Sequence, residues 1–328
     1  MKRVLLVLAA ALIASSVAFA AGPWKFAFYV PAPHPYFEAV KVGVEAFAKE
    51  YGIQVREQVG PDWNMDSENT GVLALAAEGY NLFSIYPSDV SAANGLYDEL
   101  IKRGAFVVNE GGPTSLPTPA SFFVSTNTKG AATQAAEFVI GKMGKKGTLV
   151  DVLELLEDGN TKTRRDAVMA VSAKYPQVKV MEVAGIHNEQ EAIEKIEGAV
   201  AAAGGFVDGI ITTGYVPTVA LAKFLTDYET KNKKHIHAIG IDDDPVTLKG
   251  ITDGYLDATV AQNPYGHGYL TMLALKYLSE GWKPRPDGYF IDAGIVIVTK
   301  DNVTSYSKDL QKVTAQIKAD MTKKYLMQ

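Results

Sequence analysis

The chain has 328 residues, 47% of them hydrophobic, with no cysteine and with 32 basic against 37 acidic side chains for a formal charge of −5. The missing cysteines exclude disulfides, thiolate catalysis, cysteine-held metals and a lipid-anchored cysteine. Taking Lys2 and Arg3 away with a leader lowers −5 by two to −7, which leaves no basic stripe for nucleic acid or an anionic membrane.

At the N-terminus, Lys2 and Arg3, the apolar run Val4–Ala14 and the small-x-small triplet Ala18-Phe19-Ala20 read as a cleavable export signal over residues 1–20. No second apolar run of transmembrane length follows. An export signal without an anchor points to the periplasm of a two-membrane bacterium, with secretion to the medium as the alternative. The remaining length is enough for two domains.

Lys25–Val30 is an aromatic and β-branched run that predicts a buried strand, and Phe37, Val40, Val44, Phe47 and Tyr51 follow at helical spacing. Between them, Pro35 suits the first helical position and His34 is kept out of it. His34, Tyr36 and Phe37 therefore crowd a strand-to-helix turn, where parallel sheets bind small ligands; the plainer reading is a hydrophobic staple. Then come a strand at Ile53–Val59, a helix at Ser67–Ala77, a strand at Leu82–Tyr86, a helix capped by Ser88 or Asp89 and running to Lys102, and a strand at Ala105–Asn109.

The series restarts at Phe122–Ser125 (strand) and Thr128–Met143 (helix). Strands at Thr148–Leu153, Val178–Ala184, Gly209–Thr213 and Ile236–Ile241 alternate with helices at Thr161–Lys174, around Ile193, Ile196 and Val200, and at Thr218–Tyr228. A strand at Leu256–Ala261, a helix from Tyr265 to Ser279, a strand at Ile295–Thr299 and a helix carrying Tyr306, Leu310, Val313 and Ile317 complete the chain. The alternation predicts an α/β protein of two successive blocks, each a parallel sheet covered by helices, meeting near Ser125–Asn127.

Several motifs occur in the order of one family: Pro-His-Pro-Tyr-Phe after the first strand, Tyr86-Pro87-Ser88-Asp89, Val107-Val108-Asn109, Arg164-Arg165-Asp166, Ile239-Gly240-Ile241-Asp242 and Ala258 to Pro264. The chain resembles the periplasmic sugar-binding proteins of ABC transporters, ribose and galactose type. The resemblance implies two Rossmann-like domains joined by a three-crossover hinge, with a ligand in the cleft and no cofactor. It places the domains at residues 21–126 plus 263–293 and 127–262 plus 294–328, with crossovers near Ser125–Asn127, Gln262–Asn263 and Asp292–Gly294. The implied partners are a small sugar or polyol and a membrane ABC permease, with a chemoreceptor as a further reader of the closed form; the expected state is a monomer.

Carried over position by position, His34, Tyr36 and Phe37 stand where the family uses a polar group and two aromatics, Arg164 matches its arginine, Asp242 its strand-end carboxylate and Gln262 its hinge amide. His187 falls at an aromatic position. Asn109-Glu110 replaces Asp-Arg, and Tyr86 and Gly214 replace amides, so ribose itself is not assumed. Trp63 and Tyr215 lie in loops at the same sheet edge and are candidate ligand walls. Arg164 supplies a planar donor fork and Asp242 a paired acceptor for hydroxyls, although Arg165 could instead point inward.

His235-Ile236-His237 sets two histidines on one strand face. With no third ligand evident nearby and lysines before it, it is expected to be a solvated strand start and no metal site is expected. There is no G-x-S-x-G, H-E-x-x-H, Walker or G-x-G-x-x-G motif. Glu110 and Asp242 could imitate a glycosidase pair only from opposite domains, so an enzyme is not expected. The alternatives are a binder of a furanose-like autoinducer or other small polar metabolite and, more remotely, a secreted carbohydrate-active enzyme.

Overall fold

A proline ring crowds the residue before it, so His34 stays extended at φ −156° and ψ 139° while the chain turns helical at Pro35. The His34 Nδ1 then accepts the Tyr36 N–H at 3.1 Å and caps the helix. The computed structural model describes residues 23–328, apart from Glu157 and the side chain of Pro35. The expected export signal lies outside the described residues.

In chain order, the first block is β1 (Phe26–Val30), α1 (Pro35–Tyr51), β2 (Val55–Val59), α2 (Met65–Ala77), β3 (Leu82–Ile85), α3 (Ala93–Lys102), β4 (Phe106–Glu110) and β5 (Phe122–Ser125). The second is α4 (Thr128–Lys142), β6 (Gly147–Val152), α5 (Gly159–Ser172), β7 (Val178–Val183), α6 (Glu189–Ala202), β8 (Gly209–Thr212), α7 (Tyr215–Asn232), β9 (His237–Ile241), α8 (Pro245–Asp253) and β10 (Ala258–Gln262). The rest is α9 (Pro264–Ser279), β11 (Lys283–Pro284), β12 (Phe290–Asp292), β13 (Ile295–Thr299), α10 (Tyr306–Lys324) and β14 (Leu326–Met327). Asp89 accepts the N–H groups of Ser91 and Ala92, both at 2.8 Å, but holds a turn; α3 itself starts later than the capping pattern predicts.

One sheet runs β12-β5-β4-β3-β1-β2 with every pairing parallel. The other runs β13-β10-β9-β8-β6-β7, parallel except for β13 on β10. Each chain half enters at an inner strand and builds outward both ways. Strand order therefore reverses between β1 and β3 and again between β6 and β8, and such points open crevices at the strands' carboxyl ends. Apolar cores fill both faces of each sheet. On the first, α1 meets α9 so closely that a Cβ on Gly268 would stand 2.0 Å from the Val40 carbonyl oxygen.

Three segments pass between the sheets: β5 to α4, β10 to α9 and β12 to β13. They are tied to one another. Ala293 N–H donates to the Ser125 carbonyl at 2.9 Å, and Asp292 accepts from the Asn127 and Gly294 N–H groups at 3.2 and 2.9 Å. Asn263, fully buried, donates to the Ala293 carbonyl at 2.7 Å and to Thr314 at 2.9 Å, and accepts the Gly266 N–H at 2.8 Å.

The last helix departs from the expected division, in which residues 294–328 sit with the second domain. Its start does so: Tyr306 packs against the second core and donates to Asp243 at 2.7 Å. Its end does not: Met321 is buried in the first core, as is Leu326 in β14 just beyond the helix, which pairs with Pro284. Nineteen residues at 1.5 Å each make a helix of about 28 Å, long enough to reach from one domain to the other.

Candidate functional site

The carboxyl ends of β1 and β3 present aromatic rings. Phe37 is buried, with Tyr86 edge-on at 5.0 Å and 71° and the Trp63 ring at 5.8 Å and 34°. Trp63 and Tyr86 meet at 5.4 Å and 88°. Trp63 sits in the turn before α2, where Asn64 caps the helix by accepting the Asp66 and Ser67 N–H groups. Trp63 is 52% exposed. Tyr86 packs against Gly111, where a Cβ would come within 2.7 Å of the ring; the φ of +67° there suits glycine as well.

Beneath these rings lies a polar cluster. The Tyr36 hydroxyl contacts His267 Nδ1 and stands 3.3 Å from Glu110 Oε1. His267 Nδ1 is also 3.1 Å from Glu110 Oε1, while its Nε2 faces Thr126 Oγ1 at 3.3 Å. His267 and Glu110 are both buried, and Glu110 Oε2 has no partner among the described residues. Burial, then the Glu110 charge, pushes the Tyr36 phenol well above its usual range. Burial and the same charge raise Tyr86 to about 12.

On the second sheet, Asp242 follows β9 in the left-handed region at φ +68°. Its carboxylate accepts from Gln262 Nε2 at 2.7 Å, and its carbonyl from Thr259 Oγ1 at 2.8 Å. Burial raises its pKa, opposed by the Gln262 bond and by the Arg164 charge. Arg164 lines a crevice with Thr213, Ile241 and Ala131. Its neighbour is turned away: Arg165 makes a bidentate pair with Glu182 at 2.5 and 3.0 Å. The two edges are close enough that the charge of Asp242 acts on Tyr36 and that of Asp158 on Tyr86.

The structure thus brings Tyr36, Phe37, Trp63, Tyr86 and Glu110 together on one side and Arg164, Asp242 and Gln262 on the other. His34 stands at the rim, exposed, with Nδ1 spent on the α1 cap. Asn109 does not join: successive strand side chains face opposite ways, and it donates instead to Thr114 at 2.9 Å and Tyr289 at 3.3 Å. His187 is exposed and both its N–H and its ring bond Glu191. Tyr215, 51% exposed at the start of α7, donates to Asp244 at 2.6 Å, and that bond pushes its own pKa up to about 12. His267 was missed by the sequence reading. Its signal was a histidine set between two glycines, Gly266 and Gly268, early in a helix.

A family model for the periplasmic binding protein domain matches residues 26–283. The chain belongs to that family. It is 30% identical over 152 residues to the xylose/arabinose-binding protein of Sulfolobus acidocaldarius, covering 45% of this chain and 36% of that protein. It is 25% identical over 252 residues to the ribose import binding protein of Bacillus subtilis, covering 76% of this chain and 79% of that protein. The fold is similar to that of a sugar-binding protein of a Bacillus halodurans ABC transporter, at a TM-score of 0.77, 20% identity and 87% and 100% coverage. It is also similar to an arabinose-binding protein of Geobacillus stearothermophilus, at 0.75, 21% and 86% and 99%. Members of this family are binding proteins rather than enzymes.

Proposed function

We propose that this chain is an exported, periplasmic solute-binding protein that takes a small sugar or polyol into the cleft and hands it, in the closed form, to an ABC permease without chemical change. One observation supports the reading: Phe37, Trp63 and Tyr86 pack together at one sheet edge, the Gln262 amide holds the Asp242 carboxylate and Arg164 lines a crevice at the other, and the Asp242 charge reaches Tyr36. A sugar ring has C–H faces that suit aromatic rings and hydroxyls that suit a guanidinium fork and a carboxylate. A ligand that touches both sets is fully held only when the domains shut, so binding shifts the population toward closure.

The names of the two curated relatives, xylose/arabinose and ribose, support a pentose as the first ligand to try. Glu110 and Asp242 are read as holding groups, since they stand on different domains. The test is a thermal-shift screen of the purified protein against pentoses, hexoses, polyols, inositols, amino acids and furanones. A ligand at a hundred times its dissociation constant stabilises by roughly 2.7 kcal/mol, a shift of at least a few degrees in a protein of this size. A response confined to amino acids or furanones would replace the sugar assignment, and conversion of a bound sugar to product would replace the non-catalytic one.

A further inference from the structure

His235 and His237 were expected to stand alone at the start of a strand, and the fold supplies the missing neighbour. Asp257, on the lead into β10, sets Oδ2 3.0 Å from His237 Nδ1 and Oδ1 3.5 Å from His235 Nε2. One donor atom from each of the three lies within 4.8 Å of the others. Ligands at about 2.0–2.2 Å around a tetrahedral ion stand roughly 3.3–3.5 Å apart. The His235 Nε2 to Oδ1 separation lies in that range and the His237 Nδ1 to Oδ2 separation is a little shorter, each imidazole facing its own oxygen of the carboxylate.

The surroundings orient these donors. His235 Nδ1 faces Glu229 Oε1 at 2.8 Å, and that carboxylate also accepts the Ile236 N–H at 3.2 Å. Such a pairing keeps one imidazole proton on Nδ1, as the supporting carboxylates of metal-bound histidines do, and leaves Nε2, which faces Asp257, as the nitrogen from which an ion would displace a proton. Asp257 is held in turn by the Ala238 N–H at 3.0 Å. The lysine that precedes His235 is drawn off, with Lys234 Nζ over the Phe206 ring at 3.1 Å. The two imidazoles are about one-third exposed, so an ion has a way in and water can complete its shell.

We propose that His235, His237 and Asp257 form a zinc site, with Glu229 positioning His235. Two imidazoles and a carboxylate suit Zn2+ and do not suit Ca2+ or Mg2+, which take oxygen ligands. The ion ties the connection after α7, the start of β9 and the lead into β10. It is separate from the cleft: His237 and Asp242 bracket β9, roughly 16 Å apart at about 3.3 Å per residue.

The test is calorimetric titration of ZnCl2 into the purified protein near neutral pH in a non-coordinating buffer, without sugar. We expect one ion per chain, bound at least tenfold more weakly by His237→Ala and by Asp257→Asn, and no comparable heat from CaCl2 or MgCl2. Imidazole 15N NMR of the unsubstituted protein gives a readout that does not depend on a variant folding: zinc should shift His235 Nε2 and His237 Nδ1. Absence of binding at millimolar zinc, binding undiminished in both variants, or shifts confined to other histidines would each overturn the site.

Discussion

Gln262, the last residue of β10, donates its side-chain amide to the carboxylate of Asp242 at 2.7 Å, so a crossover residue holds the carboxylate that follows β9. Asp242→Ala should weaken ligand binding by about 1–3 kcal/mol, because ligand hydroxyls would be left unpaired in a closed cleft. Gln262→Ala should cost less, since the carboxylate survives. Calorimetric titration of both variants checks the order, and equal, unchanged affinities would move the pocket elsewhere.

The two adjacent arginines offer a matched pair of substitutions. Arg164 lines the crevice with Thr213 and Ile241, and its charge reaches Asp242, while Arg165 is engaged with Glu182. Arg164→Ala should reduce affinity at least tenfold, and Arg165→Ala should leave it within about twofold, an exposed ion pair contributing only about 0–1 kcal/mol to the fold. A larger binding loss in the Arg165 variant contradicts the assignment.

Trp63 is more than half exposed, so removing it costs little in stability. Trp63→Ala should lower affinity by about 1 kcal/mol or more through lost stacking, with a near-unchanged denaturation midpoint. Ligand-induced change in tryptophan emission should largely vanish in Trp63→Phe, which leaves Trp24 and Trp282 as the emitters.

Asn263 is the knot of the hinge, bonded to Ala293, Thr314 and Gly266. Asn263→Ala strands buried partners and removes a helix cap, so unfolding free energy in urea should fall by about 2–4 kcal/mol. A loss below about half a kcal/mol would show that water replaces all three bonds.

Asp151 is fully buried on β6, with neither carboxylate oxygen partnered among the described residues. Burial first, and the Glu182 charge second, push its pKa from 3.8 to about 8, with Arg165 opposing. Between those values the folded chain holds a proton that the unfolded chain releases. Stability is therefore full at the low end and lost as pH rises, with a slope approaching 1.36 kcal/mol per unit. Asp151→Asn should flatten this part of the pH–stability curve and raise the melting temperature at pH 8. A curve that keeps its slope in the variant would assign the titration to another group.

Most of the fold was legible in the chain. Strands buried on both faces read as short continuous apolar runs, and proline, glycine and Asn or Asp punctuate them, as at Pro35, Asn64 and Asp244. Less of the site was legible. Arg164 and Arg165 are neighbours on a helix, and which one faces the cleft depends on how α5 lies on its sheet. His267 meets Tyr36 across 231 residues, and Asp257 meets His237 across 20. No local pattern encodes either meeting. The apolar stripe of α10 foretold a packed helix but not that its two ends would pack on different domains.

That last helix bears on how the molecule can move. Three short connections side by side bend readily but also permit twist and slip. A helix fastened beside them, with Tyr306 packed on one lobe and Met321 and Leu326 buried in the other, is a fourth tie that any swing of the lobes must bend or slide.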